Sequence, residues 1–170
     1  MTDQETDATF ESPALAEVRE GKYLTFELAK EQYGLEILKV REIMGLMDIT
    51  HVPQTPPFVK GLINLRGKVI PVVDLRVKFG LPEKEYNDRT TIIVVEIGSE
   101  TGTVLMGIVV DTVNEVMNIL GQDIEDTPHF GASLKTDYIM CMAKTKGRVI
   151  IILDINRVLT DEELTMVGRG

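Results

Sequence analysis

Two histidines, a single cysteine and a few clustered carboxylates are the groups in this chain best suited to chemistry. His51 stands beside the turn at Pro53, and His129 sits in Thr127-Pro128-His129-Phe130. Neither has a second His or Cys at ligand spacing, so both read as loop residues and not as a metal centre. Cys141 lies between Met140 and Met142 in an apolar run. A nucleophilic thiol wants an electropositive, partly open setting, so a buried, inert thiol is the simpler reading. Asp123, Glu125 and Asp126 lack the glycine that a calcium-binding loop needs for its sharp turn, which leaves a solvated loop. No glycine-rich loop of the spacing that cradles phosphate is present. Glu42 and Arg66 differ from the rest: each is a charge set among apolar residues, Glu42 between Val40 and Ile43, Arg66 after Ile63-Asn64-Leu65. An unpaired charge in such a setting is costly. The bland alternative is that both are solvated; the sharper expectation is a direct carboxylate–guanidinium contact within about 4 Å. None of these groups composes a catalytic site, so neither an enzyme nor a cofactor is expected.

The bulk properties agree. The 170 residues suffice for one ordinary domain or two very small ones. Hydrophobic residues make up 44% of them and aromatic residues only 5%, with no Trp, so the core must be aliphatic. A net charge of −9 argues against nucleic acid and anionic membrane as partners. One cysteine cannot form an intramolecular disulfide. The N-terminal stretch carries Asp3, Glu5, Asp7 and Glu11 and does not read as a signal peptide. No apolar run approaches the roughly 18 residues that span a bilayer. The expectation is a cytoplasmic protein without direct membrane insertion.

Positioning any site falls mostly to strands. Residues 1–17 are expected to be a disordered acidic tail, 18–164 the folded domain and 165–170 a C-terminal tail. Leu24, Phe26 and Leu28 alternate with polar residues, predicting a half-buried strand. Ala29 to Gln32 is a polar turn, and Tyr33 to Met47 reads as a strand broken by a helical turn. Pro57 is placed to start a short helix. Gly61–Leu65 and Val69–Leu75 predict strands joined across Arg66-Gly67-Lys68, with Pro71 at an edge or bulge. Thr90–Ile97 with Thr103–Asp111, and Tyr138–Lys144 with Arg148–Ile155, predict two more hairpins. Thr160 and Glu163 form a capping box opening a short helix over 161–167.

An internal repeat sets the architecture. Gly67, Val69, Ile70 and Asp74 recur 80 positions later as Gly147, Val149, Ile150 and Asp154. Two similar halves are therefore expected, each a small barrel around a hairpin, packed together. Asp74 and Asp154 end strands at equivalent places, which suggests a capping role for both.

Tyr33 to Ile43, Pro57 to Gly67, Ile70 to Arg76 and Gly107 to Asp111 closely resemble the CheW family, coupling proteins of bacterial chemotaxis. The likeness runs from about Lys22 to Leu164, and Asn64-Leu65-Arg66-Gly67 ahead of the Pro71-containing strand is its most specific part. The hairpin from Gly98 to Gly107 is longer than in the family pattern, and Cys141 stands where the family often has glycine. The resemblance implies a mostly β fold of two five-stranded SH3-like barrels, and an adaptor that tethers the histidine kinase CheA to methyl-accepting receptors in membrane arrays. A coupler of another chemosensory array, such as one governing pilus motility, is the alternative. Carried over by position, Val40, Gly61, Arg66, Gly107, Val113 and Val116 form a receptor-binding groove. Glu42 pairs with Arg66 to brace it, and CheA meets a separate apolar patch at a barrel end. If Val113 and Val116 stand on a helical turn they share a face; on an ideal strand they do not.

Overall fold

A computed structural model describes residues 20–99, 102–126, 137–160 and 162–163. The predicted N-terminal tail, His129, the connection at residues 100–101 and most of the predicted C-terminal helix lie outside these residues. The strands are β1 (Gly21–Leu28), β2 (Glu31–Glu36), β3 (Val40–Gly45), β4 (Val59–Leu65), β5 (Lys68–Asp74), β6 (Thr91–Ser99), β7 (Gly102–Val110), β8 (Thr112–Ile119), β9 (Ile124–Glu125), β10 (Ile139–Thr145) and β11 (Arg148–Leu153). A short α-helix, α1 (Leu75–Lys78), follows β5. A single 3-10 turn over Ile37–Lys39 separates β2 from β3, as the broken-strand reading expects.

The strands make two sheets. One has six strands in the order β8-β1-β2-β11-β10-β9, the other five in the order β3-β6-β7-β5-β4. The fold is thus mostly β in two packed sheets. Among the described residues no backbone ladder joins the two ends of either sheet.

The 80-residue repeat is a structural one. Both hairpins turn on two residues of positive φ, Arg66 (52°) with Gly67 (86°) and Lys146 (54°) with Gly147 (75°). Such turns match the twist of the flanking strands, and glycine at the second position relieves the strain. The β4–β5 register runs from Val59↔Val73 to Leu65↔Lys68 with a bulge before Gly61; the β10–β11 register runs from Ile139↔Leu153 to Thr145↔Arg148 with a bulge before Cys141. The Asp74 carboxylate accepts from the Arg76 amide at 2.9 Å, and Asp154 from the Asn156 amide at 3.1 Å, so both aspartates cap the following turn.

The halves are not contiguous in sequence, however. The β1–β2 hairpin joins the sheet that holds β8 to β11, and the β6–β7 hairpin joins the sheet that holds β3 to β5. Each repeat lends its first hairpin to the other's sheet. Parallel pairings seal the exchange: β11 beside β2 at Ile152↔Gly34, and β5 beside β7 at Val72↔Gly107. The exchange also explains why β1 is not half-buried. Leu24, Phe26 and Leu28 enter a core shared by the two sheets, whereas Tyr23 enters the six-stranded sheet's own core with Cys141, Ala143, Ile150 and Ile152. Cys141 is fully buried among apolar groups, in keeping with an inert thiol. The five-stranded sheet has its own core of Ile63, Ile70, Val72, Ile92, Val94 and Val109. A run of stacked rings, Phe26–Tyr33–Phe79–Tyr138, crosses the shared core with centroids 5.8, 6.1 and 4.8 Å apart.

Three local expectations are corrected. Pro57 opens a plain turn and no helix. Leu75 belongs to α1, not to the preceding strand. Pro71 lies in an interior strand instead of at an edge or bulge. Its missing N–H is tolerated because Leu62, its partner, spends both backbone groups on Thr50 at 2.8 Å, and because the β5–β7 ladder begins only at Val72. At the C-terminal end, Thr160 and Glu163 exchange the two bonds of a capping box, at 2.9 and 3.1 Å.

Candidate functional site

Strands β3 and β8 are edges of different sheets and are built alike. In β3, Val40 faces Val95 and Ile43 faces Ile93, with a bulge between. In β8, Val113 faces Phe26 and Val116 faces Leu24, again with a bulge between. Residues directly opposite in an antiparallel pair project to the same side. Val95, Ile93, Phe26 and Leu24 all belong to the shared core, so the four side chains opposite them lie on its rim. Val40 and Val113 are half-buried against that core, while Ile43 and Val116 remain 44% and 49% exposed. The bulge is what lets two residues three apart face one way on a strand, which resolves the helix-or-strand alternative for Val113 and Val116.

Glu42 points to the opposite side, where its neighbour Val94 belongs to the five-stranded sheet's own core. There the Arg66 guanidinium donates to Glu42 through both terminal nitrogens, at 2.7, 2.7 and 2.8 Å. Glu42 stands on edge strand β3, and Arg66 tips the hairpin whose β4 is the opposite edge. This ion pair therefore bridges two edges that no ladder joins. The Arg66 side chain is 68% exposed, so the pair's value is geometric more than energetic. Both residues line a broad cavity with an apolar wall of Leu65, Val69 and Val104, beside which Arg41 donates to Glu96 at 3.0 Å. That hydrogen bond holds the Glu96 carboxyl below its usual range, against the weaker opposing pull of desolvation.

The six positions named as a groove thus divide. Val40, Val113 and Val116 stand on the rim of the shared core. Arg66 lies behind β3, on the far side from Val40. Gly61 and Gly107 are buried. A Cβ on Gly61 would lie 2.0 Å from the Thr50 carbonyl oxygen, and one on Gly107 would lie 3.0 Å from the Ile92 side chain. These two glycines permit close approach of neighbouring strands and offer no side chain to a partner.

Ile43 was missed by sequence reasoning, although a signal existed. Gly34, Val40, Glu42 and Ile43 recur 73 positions later as Gly107, Val113, Glu115 and Val116. Among the described residues no group of three or more His, Cys, Asp or Glu is placed to hold a metal, and no helix is long and apolar enough to cross a membrane.

Comparison with known proteins gives a consistent result. Residues 22–163 match the CheW-like domain. The chain is 38% identical over 146 residues to the chemotaxis protein CheW of Klebsiella aerogenes, covering 86% of each chain. It is 35% identical over 149 residues to CheW of Bacillus subtilis, covering 86% of this chain and 92% of that one. The crystal structure of the scaffolding protein TtCheW from Thermoanaerobacter tengcongensis is similar with a TM-score of 0.75 and 37% identity, covering 85% of this chain and 97% of that one.

Proposed function

The chain belongs to the CheW-like family of non-enzymatic chemotaxis adaptors, and from that premise we propose that it couples a CheA-type histidine kinase to methyl-accepting receptors. An adaptor without chemistry acts by holding two partners at once, which raises the effective concentration of each at the other. That requires two surfaces that do not overlap.

The receptor surface is the rim of the shared core. Val40, Val113 and Val116 supply its apolar contacts. Arg66, through Glu42, braces β3 from behind, while Gly61 and Gly107 hold neighbouring strands at the required closeness. The single observation that carries this reading is the matched pair of edge strands, which present equivalent apolar side chains over one core. The kinase surface is the apolar end of the five-stranded sheet, where Val69 is 61% exposed. Each sheet curls as an SH3-like barrel, a reading supported by the ion pair that spans the unladdered edges β3 and β4. The protein reaches the membrane array through the receptor.

The test is competition. A receptor cytoplasmic-tip fragment and the kinase regulatory domain are each titrated with the protein, alone and with the other partner saturating. The expected result is two affinities that change by less than about threefold, well under 1 kcal/mol of coupling. Displacement of the receptor fragment by the kinase domain would mean a single shared surface, and the reading would have to be abandoned.

A further inference from the structure

The two edge strands are held in place by different means, and the difference assigns a role to Thr25. Glu42 is paired with Val94 on β6, whereas its counterpart Glu115 falls in the gap of the β1–β8 ladder, where the Thr25 side chain of β1 reaches it. Arg66 and Lys146 are likewise counterparts, at the tips of the two repeated hairpins. Glu42 and Arg66 form a close fork at 2.7 Å, but Lys146 stands 4.0 Å from Glu115, with both side chains more than half exposed. Two such charges hold each other weakly in water. The β8 edge therefore lacks the brace that the β3 edge has.

Thr25 fills that place. It is 1% exposed, one of few buried polar residues among those described. Its hydroxyl donates to the Glu115 carbonyl at 2.8 Å and accepts from the Glu115 amide at 3.2 Å. Glu115 is one of the two β8 residues, with Asn114, left between the pairs Val113↔Phe26 and Val116↔Leu24, where the ladder to β1 is interrupted. A bulge leaves backbone groups unpaired, and buried ones must find partners. One hydroxyl here satisfies both groups of one residue. The counterpart Val94 has no hydroxyl and can do nothing of the kind.

We propose that Thr25 is a positioning residue for partner binding: by locking the β8 bulge at Glu115 it fixes the direction in which Val113 and Val116 face the rim of the shared core. It does for β8 what the Glu42–Arg66 fork does for β3. The inference rests on the reading of that rim as the receptor surface.

The experiment compares wild type, Thr25→Val, Thr25→Ser and Glu115→Ala. Each is checked for folding by thermal melt and titrated with a receptor cytoplasmic-tip fragment and, separately, with the kinase regulatory domain. Thr25→Val keeps the shape and removes the hydroxyl. Its receptor affinity is expected to fall about tenfold or more, the value of a misplaced central contact, with kinase affinity within about twofold. Thr25→Ser restores the hydroxyl and is expected to recover receptor binding. Glu115→Ala keeps the backbone groups that Thr25 holds and is expected to stay within about twofold on both partners. A folded Thr25→Val with wild-type receptor affinity, or with equal loss of both partners, overturns the assignment. So does a tenfold receptor loss in Glu115→Ala, which reads out even if Thr25→Val does not fold. A wild-type protein that fails to bind the receptor fragment instead contradicts the reading of the rim itself, and the inference with it.

Discussion

Gly61→Ala is expected to remove a large part of the protein's stability while altering no exposed surface. The added Cβ would lie 2.0 Å from the Thr50 carbonyl oxygen and 2.7 Å from its carbon, so backbone must move. That oxygen accepts from the Leu62 amide, and the Thr50 amide donates back to Leu62, both at 2.8 Å. Residue 61 also has φ at +141°, a region L-residues seldom adopt. Strain there costs about 1–3 kcal/mol, overpacking a similar amount, and each lost hydrogen bond about 0.5–1.5 kcal/mol. If both bonds are lost, a total of about 3–9 kcal/mol is a large share of the roughly 5–15 kcal/mol that holds a domain folded. Gly147→Ala makes the control: its φ is also positive, at +75°, but nothing lies within 4 Å of the added carbon, so about 1–2 kcal/mol is expected. Urea denaturation of the two variants measures the difference. Equal midpoints would show that the approach of Thr50 to β4 does not constrain the strand. Any loss of receptor binding in Gly61→Ala should come with this loss of stability.

Val113→Lys should separate binding from folding. Val113 is half-buried on an edge strand, and the stem of a lysine can lie along the same surface with its charge in water. The free protein therefore tolerates it. A bound receptor would have to desolvate that ammonium at the centre of an apolar contact, at a cost of several kcal/mol by rough estimate. Receptor affinity should fall about a hundredfold or more, since each 1.4 kcal/mol is tenfold. The surface around Val69 that we propose for the kinase is formed by other strands, and kinase affinity should hold within about twofold. Titration of the melt-checked variant against each partner decides. Equal loss of both by a folded variant would place the two partners on one surface.

Much of this was legible in the chain itself, and what was not has a physical reason. The β4–β5 and β10–β11 hairpins could be read because basic-Gly-basic turns and apolar runs are local features. Asp74 and Asp154 announced their caps by sitting at the ends of repeated strands, while the cost of charge among apolar neighbours called for a partner to Glu42 that the family resemblance identified as Arg66. The exchange of hairpins between sheets was not legible, because whether β2 lies beside β11 or β5 is settled by long-range packing that no local period encodes. β1 was read as half-buried for the same reason: alternation assumes one core, and this strand lies between two. The bulges in β3 and β8 break the two-residue period, which hid Ile43 and left the facing of Val116 open. Of the six positions, Gly61 and Gly107 mark close approach of strands and Arg66 lies behind β3, so only the three valines share the rim; no local period in the sequence separates these roles.

The most direct measurement of the bridging claim is sedimentation of receptor-bearing membranes mixed with the kinase, with and without this protein. The account predicts that the kinase pellets with the membranes only when the protein is added, that Val113→Lys abolishes the effect, and that the protein itself stays in the supernatant when the membranes lack receptor. Kinase that pellets equally without the protein, or a protein that binds receptor membranes yet brings no kinase with it, would contradict the account.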